Sequence, residues 1–199
     1  MLSAWSQTCP ASCVPWWRKH LELQQAGMIP LGGHLFVSGR HAYDGKIGKI
    51  VAFATGCAEG DLACRSPLWQ ADTPGPAGRI YDAGTGGVMV TWRTGWERHV
   101  SRFELDCATD GGTCSPTGSV SLGETEEMWQ DDYEGTLYAA VDLQVSAVRC
   151  EPGCSVVWSG PIDRLARSLV AEEQGVFLDI SGPIVPYSLN WIAAMVAFT

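Results

Sequence analysis

The sequence predicts a mainly β protein of the α+β class, with two short helices and several local disulfides. Three features indicate this: four close pairs of cysteines, a V-x-V-x-W pattern before a glycine turn, and one long segment in which apolar and polar residues alternate. With 46% apolar and 10% aromatic residues in 199, the composition is that of a folded globular chain. This length suits one large domain or two small ones.

The cysteines are spaced for pairing with their nearest neighbours. The pairs are Cys9 with Cys13, Cys57 with Cys64, Cys107 with Cys114, and Cys150 with Cys154. Closing a loop of about eight residues contributes roughly 2–3 kcal/mol on the loop-entropy estimate. Zinc is a competing interpretation, but the six-residue gaps in two of the pairs fit zinc ligands poorly, and reduced buried thiols are the other alternative. Disulfides favour an oxidising compartment, either extracellular or secretory, or an organelle lumen such as the thylakoid's.

The two ends of the sequence bear on localisation. The residues after Met1 contain no basic region followed by an apolar one, so no targeting segment is visible, and we expect processing of a longer precursor. Residues 184–198 are nearly uncharged and predict a buried terminal strand or helix. A second interpretation is a tail that docks on a partner or makes peripheral contact with a membrane.

The first half of the chain predicts one helix followed by strands. A helix is expected from Pro15 to Ala26, with proline in its first turn and Gly27 just past its end. The β-branched run from Ile47 to Phe53 predicts a strand, and the proline-rich stretch from Ser66 to Gly78 predicts a loop. Residues 87–92 and 96–103 then predict a hairpin with a three-residue turn at Arg93-Thr94-Gly95, which would place Trp92 opposite Trp96.

The second half alternates acidic, apolar and turn segments. The acidic run from Gly123 to Gly135 predicts a solvated loop, and it lacks the Asp-x-Asp-x-Asp-Gly register of a calcium loop. Apolar residues at every second position from Leu137 to Val148 predict a half-buried strand, which meets a cysteine-flanked turn at residues 150–154. A second helix is expected from Pro161 to Gln174, and a strand from Val176 to Ile180.

Residues 41–106 resemble a small SH3-like barrel, and most closely the Mind-bomb type. The resembling elements are Asp44-Gly45-Lys-Ile-Gly48-Lys-Ile-Val, then Gly87-Val88-x-Val90-x-Trp92-x-x-Gly95, then Val100 and Leu105. The resemblance implies a protein-binding barrel, and the cysteine-closed insertion and the proline-rich loop depart from the family pattern. With this barrel, the chain divides into an N-terminal segment with one helix (1–40), the SH3-like barrel (41–116), and a β hairpin with a helix and an apolar tail (117–199).

No catalytic, cofactor-binding or metal-binding residues are predicted. The four histidines stand in no recognised catalytic motif, and the glycine-rich stretch at residues 82–87 lacks the lysine of a phosphate-binding loop. The formal net charge of −9 argues against nucleic acid as a partner, because neutralising phosphates requires clustered basic residues.

The preferred function is that of a non-enzymatic accessory or scaffold subunit in a larger, membrane-associated assembly, with other protein subunits as partners. Nine tryptophans motivate it, since exposed aromatic residues anchor interfaces. The candidate interaction residues are Trp69, Trp92, Trp96 and Trp191. A glycan-binding module, in which an exposed tryptophan stacks on a sugar beside an acidic or basic side chain, is the first alternative, and an enzyme with non-local catalytic residues is the second.

Overall fold

The computed structural model describes residues 2–4, 17–19, 21–55, 66–84, 86–108, 111–125, 127–151 and 153–180. All regular secondary structure in these residues is β-strand, in seventeen strands named β1 to β17 in chain order. The described part of the chain is therefore all-β. The predicted α+β class, with its two short helices, is wrong.

The chain divides into two compact units. The first comprises residues 1–80 and 105–115, and the second comprises residues 81–104 and 116–199. Each unit is a group of residues that are close together in space and is not a continuous stretch of the sequence. The predicted division of the sequence into three domains stays a prediction.

Unit 1 is built on a five-stranded sheet in the order β10-β6-β5-β4-β3, in which only β10 and β6 are parallel. The strands of the sheet are β3 (Leu23–Leu31), β4 (His34–His41), β5 (Gly48–Ala54), β6 (Trp69–Thr73) and β10 (Gly112–Thr113). A separate antiparallel pair joins β1 (Leu2–Ala4) to β2 (Trp17–Lys19). Residues Phe36, Ala52 and Trp69 lie side by side on one face of the sheet, and all three are fully buried.

Unit 2 contains two four-stranded antiparallel sheets and a hairpin. The first sheet has the order β11-β9-β8-β7 and is formed by β7 (Ala77–Asp82, which begins in unit 1), β8 (Gly87–Thr94), β9 (Glu97–Glu104) and β11 (Gly118–Glu124). The second has the order β12-β13-β14-β15 and is formed by β12 (Met128–Tyr133), β13 (Thr136–Val141), β14 (Gln144–Cys150) and β15 (Cys154–Pro161). The hairpin is formed by β16 (Ala166–Glu172) and β17 (Gly175–Ile180).

Two buried clusters hold unit 2 together. One joins the two sheets and contains Tyr81, Ala83, Met89, Val100, Leu137, Val148 and Cys150. The other joins the second sheet to the hairpin and contains Ala140, Val145, Leu169, Ala171, Val176 and Leu178. Gly135 permits a close approach between β7 and the β12–β13 turn, because a Cβ on it would lie 2.9 Å from the carbonyl oxygen of Ala83.

The region of the first predicted helix forms strands, since residues 17–19 are β2 and β3 begins at Leu23. Described side chains from Leu21 onward alternate between half-buried and exposed, which is the two-residue period of a strand. A β-bulge between Gln25 and Gly27 shifts the register of β3 against β4. The helix was predicted from local signals, namely proline in its first turn and Gly27 just past its end, and pairing with β4 overrides them.

The region of the second predicted helix is also extended. Residue Pro161 ends β15, and β16 and β17 pair across a turn at residues 173–174. The spacing of Leu165 and Leu169 suggested a helical stripe, but burial alternates along Leu169, Val170 and Ala171. Pairing with β17 therefore overrides the local helical spacing.

The strands assigned to the SH3-like barrel do not form one sheet. Strands β5, β6 and β10 belong to the five-stranded sheet, whereas β8 and β9 pair in the first sheet of unit 2. The barrel-based part of the predicted fold class is therefore also wrong. No helix long and apolar enough to span a membrane occurs in the described residues, and residues 184–198 lie outside them.

Candidate functional site

The four tryptophans predicted as interaction residues have different environments. Trp69 is fully buried, and its indole Nε1 donates a hydrogen bond of 2.6 Å to the carbonyl oxygen of Leu105. Trp92 is half-buried, Trp96 is 55% exposed, and Trp191 lies outside the described residues. Trp69 therefore serves the core of unit 1, and Trp96 presents the most open ring of the three described.

The turn of the β8–β9 hairpin is one residue shorter than predicted and lies further along the chain, at residues 95–96. Thr94 pairs with Glu97, which leaves a two-residue turn in which Gly95 supplies a positive φ of 61°. Trp92 consequently lies opposite His99 instead of Trp96. The length and position of the turn fix the register of the hairpin, so the residues on both strands next to the turn have different partners from those predicted.

Trp92 contacts His99 and Ser101 on the neighbouring strand β9. Its ring stacks on His99 with centroids 4.0 Å apart, and its Nε1 donates to Ser101 Oγ at 2.8 Å. Glu97 lies 3.6 Å from His99 Nε2 and accepts a hydrogen bond of 2.7 Å from Ser121. His99 Nε2 has no hydrogen-bond partner among the residues that the structure describes, and the His99 ring covers one face of the indole.

A cavity of about 380 Å³ lies elsewhere in unit 2, and it is the candidate site. It is lined by Thr125, Glu127, Trp129, Ala140, Asp142, Leu165 and Ala166. Two of its large apolar side chains are open to solvent, since Trp129 is 39% exposed and Leu165 is 56% exposed. We call this feature the Trp129 cavity.

The strand register explains how one wall of the Trp129 cavity forms. Trp129 on β12 pairs with Ala140 on β13. Glu127 immediately precedes β12 and Asp142 immediately follows β13, and both line the cavity beside this pair. The small side chain of Ala140 leaves space beside the indole ring.

The opposite wall comes from Leu165 and from Ala166, the first residue of β16. A hydrogen bond ties the two walls together, because the backbone N–H of Ala171 donates to Asp131 Oδ2 at 3.0 Å. The turn at Asp142 is held in the same way, since the N–H of Ile162 donates to the carbonyl oxygen of Leu143 at 2.8 Å. The cavity is therefore framed by hydrogen-bonded segments.

Thr125 anchors the loop that enters β12. Its hydroxyl donates to the carbonyl oxygen of Glu127 at 2.6 Å and accepts from the N–H of Glu127 at 3.2 Å. Its own backbone N–H donates to the carbonyl oxygen of Trp96 at 2.9 Å, and its carbonyl oxygen accepts from Arg98 Nε at 3.3 Å. Burial and the neighbouring Arg93 lower the pKa of the Arg98 guanidinium. The polar groups of Thr125 are thus committed to holding the loop in place.

Two carboxylates lie on the wall of the Trp129 cavity. Glu127 and Asp142 are both exposed, and neither forms an ion pair within the described residues. Asp142 also has a positive φ of 49°, which is uncommon for a residue other than glycine. In the part of the chain that the structure describes, no group of three or more His, Cys, Asp or Glu residues is arranged to hold a metal ion.

Two of the four predicted disulfides are confirmed. The structure joins Cys107 to Cys114 and Cys150 to Cys154. The other four cysteines lie outside the described residues, and their pairing stays a prediction. Disulfides are consistent with an oxidising compartment.

The Trp129 cavity was missed because its aromatic residue lies in the acidic run that predicted a solvated loop. Residues 128–133 of that run form β12 instead. A sequence signal for this hairpin was the Glu134-Gly135 pair, which follows Trp129, Asp131 and Tyr133 at alternate positions. In the structure both residues of the pair have a positive φ, as in the two-residue turns that connect hairpin strands.

No family model and no curated protein matches this chain. Among solved structures, it is similar to the crystal structure of BamB from Moraxella catarrhalis, with 11% sequence identity and a TM-score of 0.48, over 80% of this chain and 58% of that chain. The chain thus spans less than two thirds of the BamB chain. A likeness at this level assigns neither a family nor an activity, and the resemblance of residues 41–106 to the Mind-bomb type stays a prediction.

Proposed function

We propose that this chain is a non-enzymatic interaction subunit that binds another protein through the Trp129 cavity. The observation that carries the proposal is a framed cavity whose rim holds an exposed tryptophan and an exposed leucine. Aromatic anchors that fill or line pockets supply most of the energy of protein interfaces. A role as an accessory subunit of a larger assembly follows from this mode of binding, and contact with a membrane rests on the sequence of residues 184–198 alone.

Exposed apolar side chains lie in the cavity lining and next to it in the chain. Leu143, which follows Asp142 in the chain, is 51% exposed, and Leu165 on the opposite wall is 56% exposed. Leu165 and Trp129 line the cavity together with the acidic side chains of Glu127 and Asp142. Interfaces of non-obligate complexes have this composition, with an apolar centre and a polar rim.

Glycan binding is the second candidate, and one observation favours it. Trp129 lies beside the carboxylates of Glu127 and Asp142, which is the arrangement that stacks on a sugar ring and accepts hydrogen bonds from its hydroxyl groups. The enzyme alternative stays a prediction from the sequence.

Site-directed photo-crosslinking tests the proposal. The full, oxidised chain carries a benzophenone amino acid at position 165 and, as a matched control, at position 173. These positions lie just before and just after β16 (Ala166–Glu172), about 25 Å apart at the rise of a β-strand. After exposure to an extract of the source cells, we expect position 165 to capture one protein that position 173 does not capture.

The captured protein is then purified, and its affinity is measured by isothermal titration calorimetry. We expect Trp129→Ala to weaken binding at least about tenfold, because anchor truncations of this kind cost about 2 kcal/mol or more. Trp96→Ala is the control, since Trp96 is also exposed but does not line the cavity. Equal capture at positions 165 and 173, or equal affinity of the Trp129→Ala variant and the native chain, would overturn the proposal. Binding of a glycan that is lost in Trp129→Ala would replace it with the second candidate.

A further inference from the structure

We infer that the Trp129 cavity receives a cationic side chain, lysine or arginine, from the partner protein. This inference rests on the proposed function and adds the chemistry of the partner. The charge, the hydrogen-bonding groups, the aromatic ring and the apolar side chains of the cavity wall all suit such a group.

The charge of the wall is unbalanced. Of the seven lining residues, two are acidic and none is basic. Neither Glu127 nor Asp142 has an ion-pair partner among the described residues. A protein of formal net charge −9 also attracts cationic partners over long range. A cation entering the cavity would therefore meet two uncompensated carboxylates.

The hydrogen-bonding groups of the wall are mainly acceptors. The hydroxyl of Thr125 is already engaged as donor and acceptor with the backbone of Glu127. The other polar groups on the lining side chains are the carboxylates of Glu127 and Asp142, which only accept hydrogen bonds, and the indole N–H of Trp129, which donates one. Ammonium and guanidinium groups only donate, so they complement this wall, whereas a sugar hydroxyl both donates and accepts.

The aromatic ring and the apolar side chains of the walls suit the rest of such a side chain. Tryptophan is the aromatic residue that attracts cations most strongly through its π face. Ala140, Ala166 and Leu165 offer an apolar surface beside it. Long basic side chains lay their methylene stem on such a surface while the charged head reaches the carboxylates.

The backbone at Asp142 offers a way to separate binding from folding. Its φ of 49° suits glycine or asparagine as well as aspartate. Asp142→Asn therefore removes the charge and keeps the turn. If Asp142 only stabilised the turn, the Asp142→Asn variant would bind a cationic ligand with the same affinity as the native chain.

The test uses three capped pentapeptides, Gly-Gly-X-Gly-Gly, in which X is lysine, arginine or norleucine. Norleucine keeps the methylene stem of lysine and lacks its ammonium group. Each peptide is titrated into the ¹⁵N-labelled full chain at pH 7 and low salt, and the indole N–H signal of Trp129 is followed by NMR. The signal is assigned by its loss in Trp129→Phe. Methyl β-glucoside and methyl β-galactoside are titrated in the same way.

We expect the lysine and arginine peptides to shift the Trp129 signal and the norleucine peptide to leave it unchanged. In Glu127→Gln/Asp142→Asn the affinity for the lysine peptide should fall at least about tenfold, because charge-assisted hydrogen bonds are lost. The control Glu173→Gln/Asp179→Asn changes the net charge equally at exposed positions of the β16–β17 hairpin, and should alter the affinity by about twofold at most. The melting temperatures of both variants are measured to establish that they are folded.

Three results would overturn the inference. Equal shifts with the lysine and norleucine peptides would show that the cavity does not distinguish a charged side chain from an uncharged one. Equal losses of affinity in the cavity variant and the control variant would show a long-range effect of charge alone. Shifts with a glycoside and none with the peptides would favour the glycan candidate. In the first two cases the proposed function survives as long as the Trp129→Ala variant still loses the cross-linked partner.

Discussion

Replacing Trp69 by phenylalanine should destabilise unit 1, although the sequence suggested Trp69 as a surface residue. The side chain is fully buried and packs against Phe36, with ring centroids 5.7 Å apart. Its Nε1 donates to the carbonyl oxygen of Leu105 at 2.6 Å, and Leu105 belongs to the segment that leads to Cys107. The substitution therefore removes packing and a hydrogen bond together.

The expected magnitude follows from these two losses. Leaving the half-buried carbonyl of Leu105 without its partner costs about 1 kcal/mol, the low end of the range for such groups. Replacing the indole with the smaller phenyl ring removes roughly three buried ring atoms, which costs about 2 kcal/mol including the space left behind. We expect the free energy of unfolding to fall by about 3 kcal/mol, a large part of the 5–15 kcal/mol typical of folded domains.

The assay is urea unfolding of the oxidised chain at pH 7, followed by far-ultraviolet circular dichroism, because fluorescence would be altered by the loss of a tryptophan. Trp96→Phe is the matched control, and since its ring is 55% exposed it should change the free energy by about 0.5 kcal/mol or less. If the two units unfold in separate transitions, only the transition of unit 1 should move. A free energy for Trp69→Phe within 0.5 kcal/mol of the native value, as roughly expected of a surface substitution, would refute the assignment of Trp69 to the core.

Three further predictions concern unit 2 and the disulfides. Burial and the neighbouring Asp131 raise the pKa of Asp132, so its ionised form opposes folding as pH rises above 3.8, the ordinary pKa of aspartate. Asp132→Asn should therefore raise the melting temperature at pH 7, and this gain should vanish below pH 3.8. Gly135→Ala should cost at least about 2 kcal/mol in a urea titration, because the Cβ would meet the carbonyl of Ala83, whereas Gly95→Ala, at a similar φ in open space, should cost about 1 kcal/mol. Cys107→Ser/Cys114→Ser should lower the free energy of unfolding by about 2–3 kcal/mol, while equal stability of this variant and the oxidised chain would contradict the loop-closure argument.

Much of the strand content was predictable because strand patterns are local. The segments predicted from Ile47 to Phe53 and from Val176 to Ile180 match β5 and β17 closely. The alternation from Leu137 to Val148 was correctly assigned to strand but hides a break, since it covers β13, the turn at Asp142 and Leu143, and β14. Because the turn contains two residues, Val141 pairs with Gln144, and a face that carries odd-numbered residues in β13 carries even-numbered residues in β14. Both faces of the two strands contain buried residues, so the apolar alternation continues through the turn and the sequence alone does not show it.

Helix and barrel predictions were wrong where the decisive interactions are between distant residues. β3 is extended because it pairs with β4, and the cross-strand partner that makes β16 extended lies across a turn in β17. The assignment of β5 and β8 to different sheets likewise depends on which edges pair, and motif spacing carries no information about this. Local propensity is a weak guide at such positions because packing against neighbours outweighs it.

The candidate site shows why a residue type does not reveal its role. Trp69 and Trp129 are both strand tryptophans, yet one is fully buried and the other is 39% exposed. Trp69 lies on β6, between β10 and β5, in a row with the large ring of Phe36. Trp129 lies on β12 at the end of its sheet, where Ala140 beside it and Ala166 on the opposite wall are too small to fill the space. The cavity exists because two small side chains from separate segments meet a large one, and this depends on strand register and on the packing of β16, neither of which can be read from composition or periodicity.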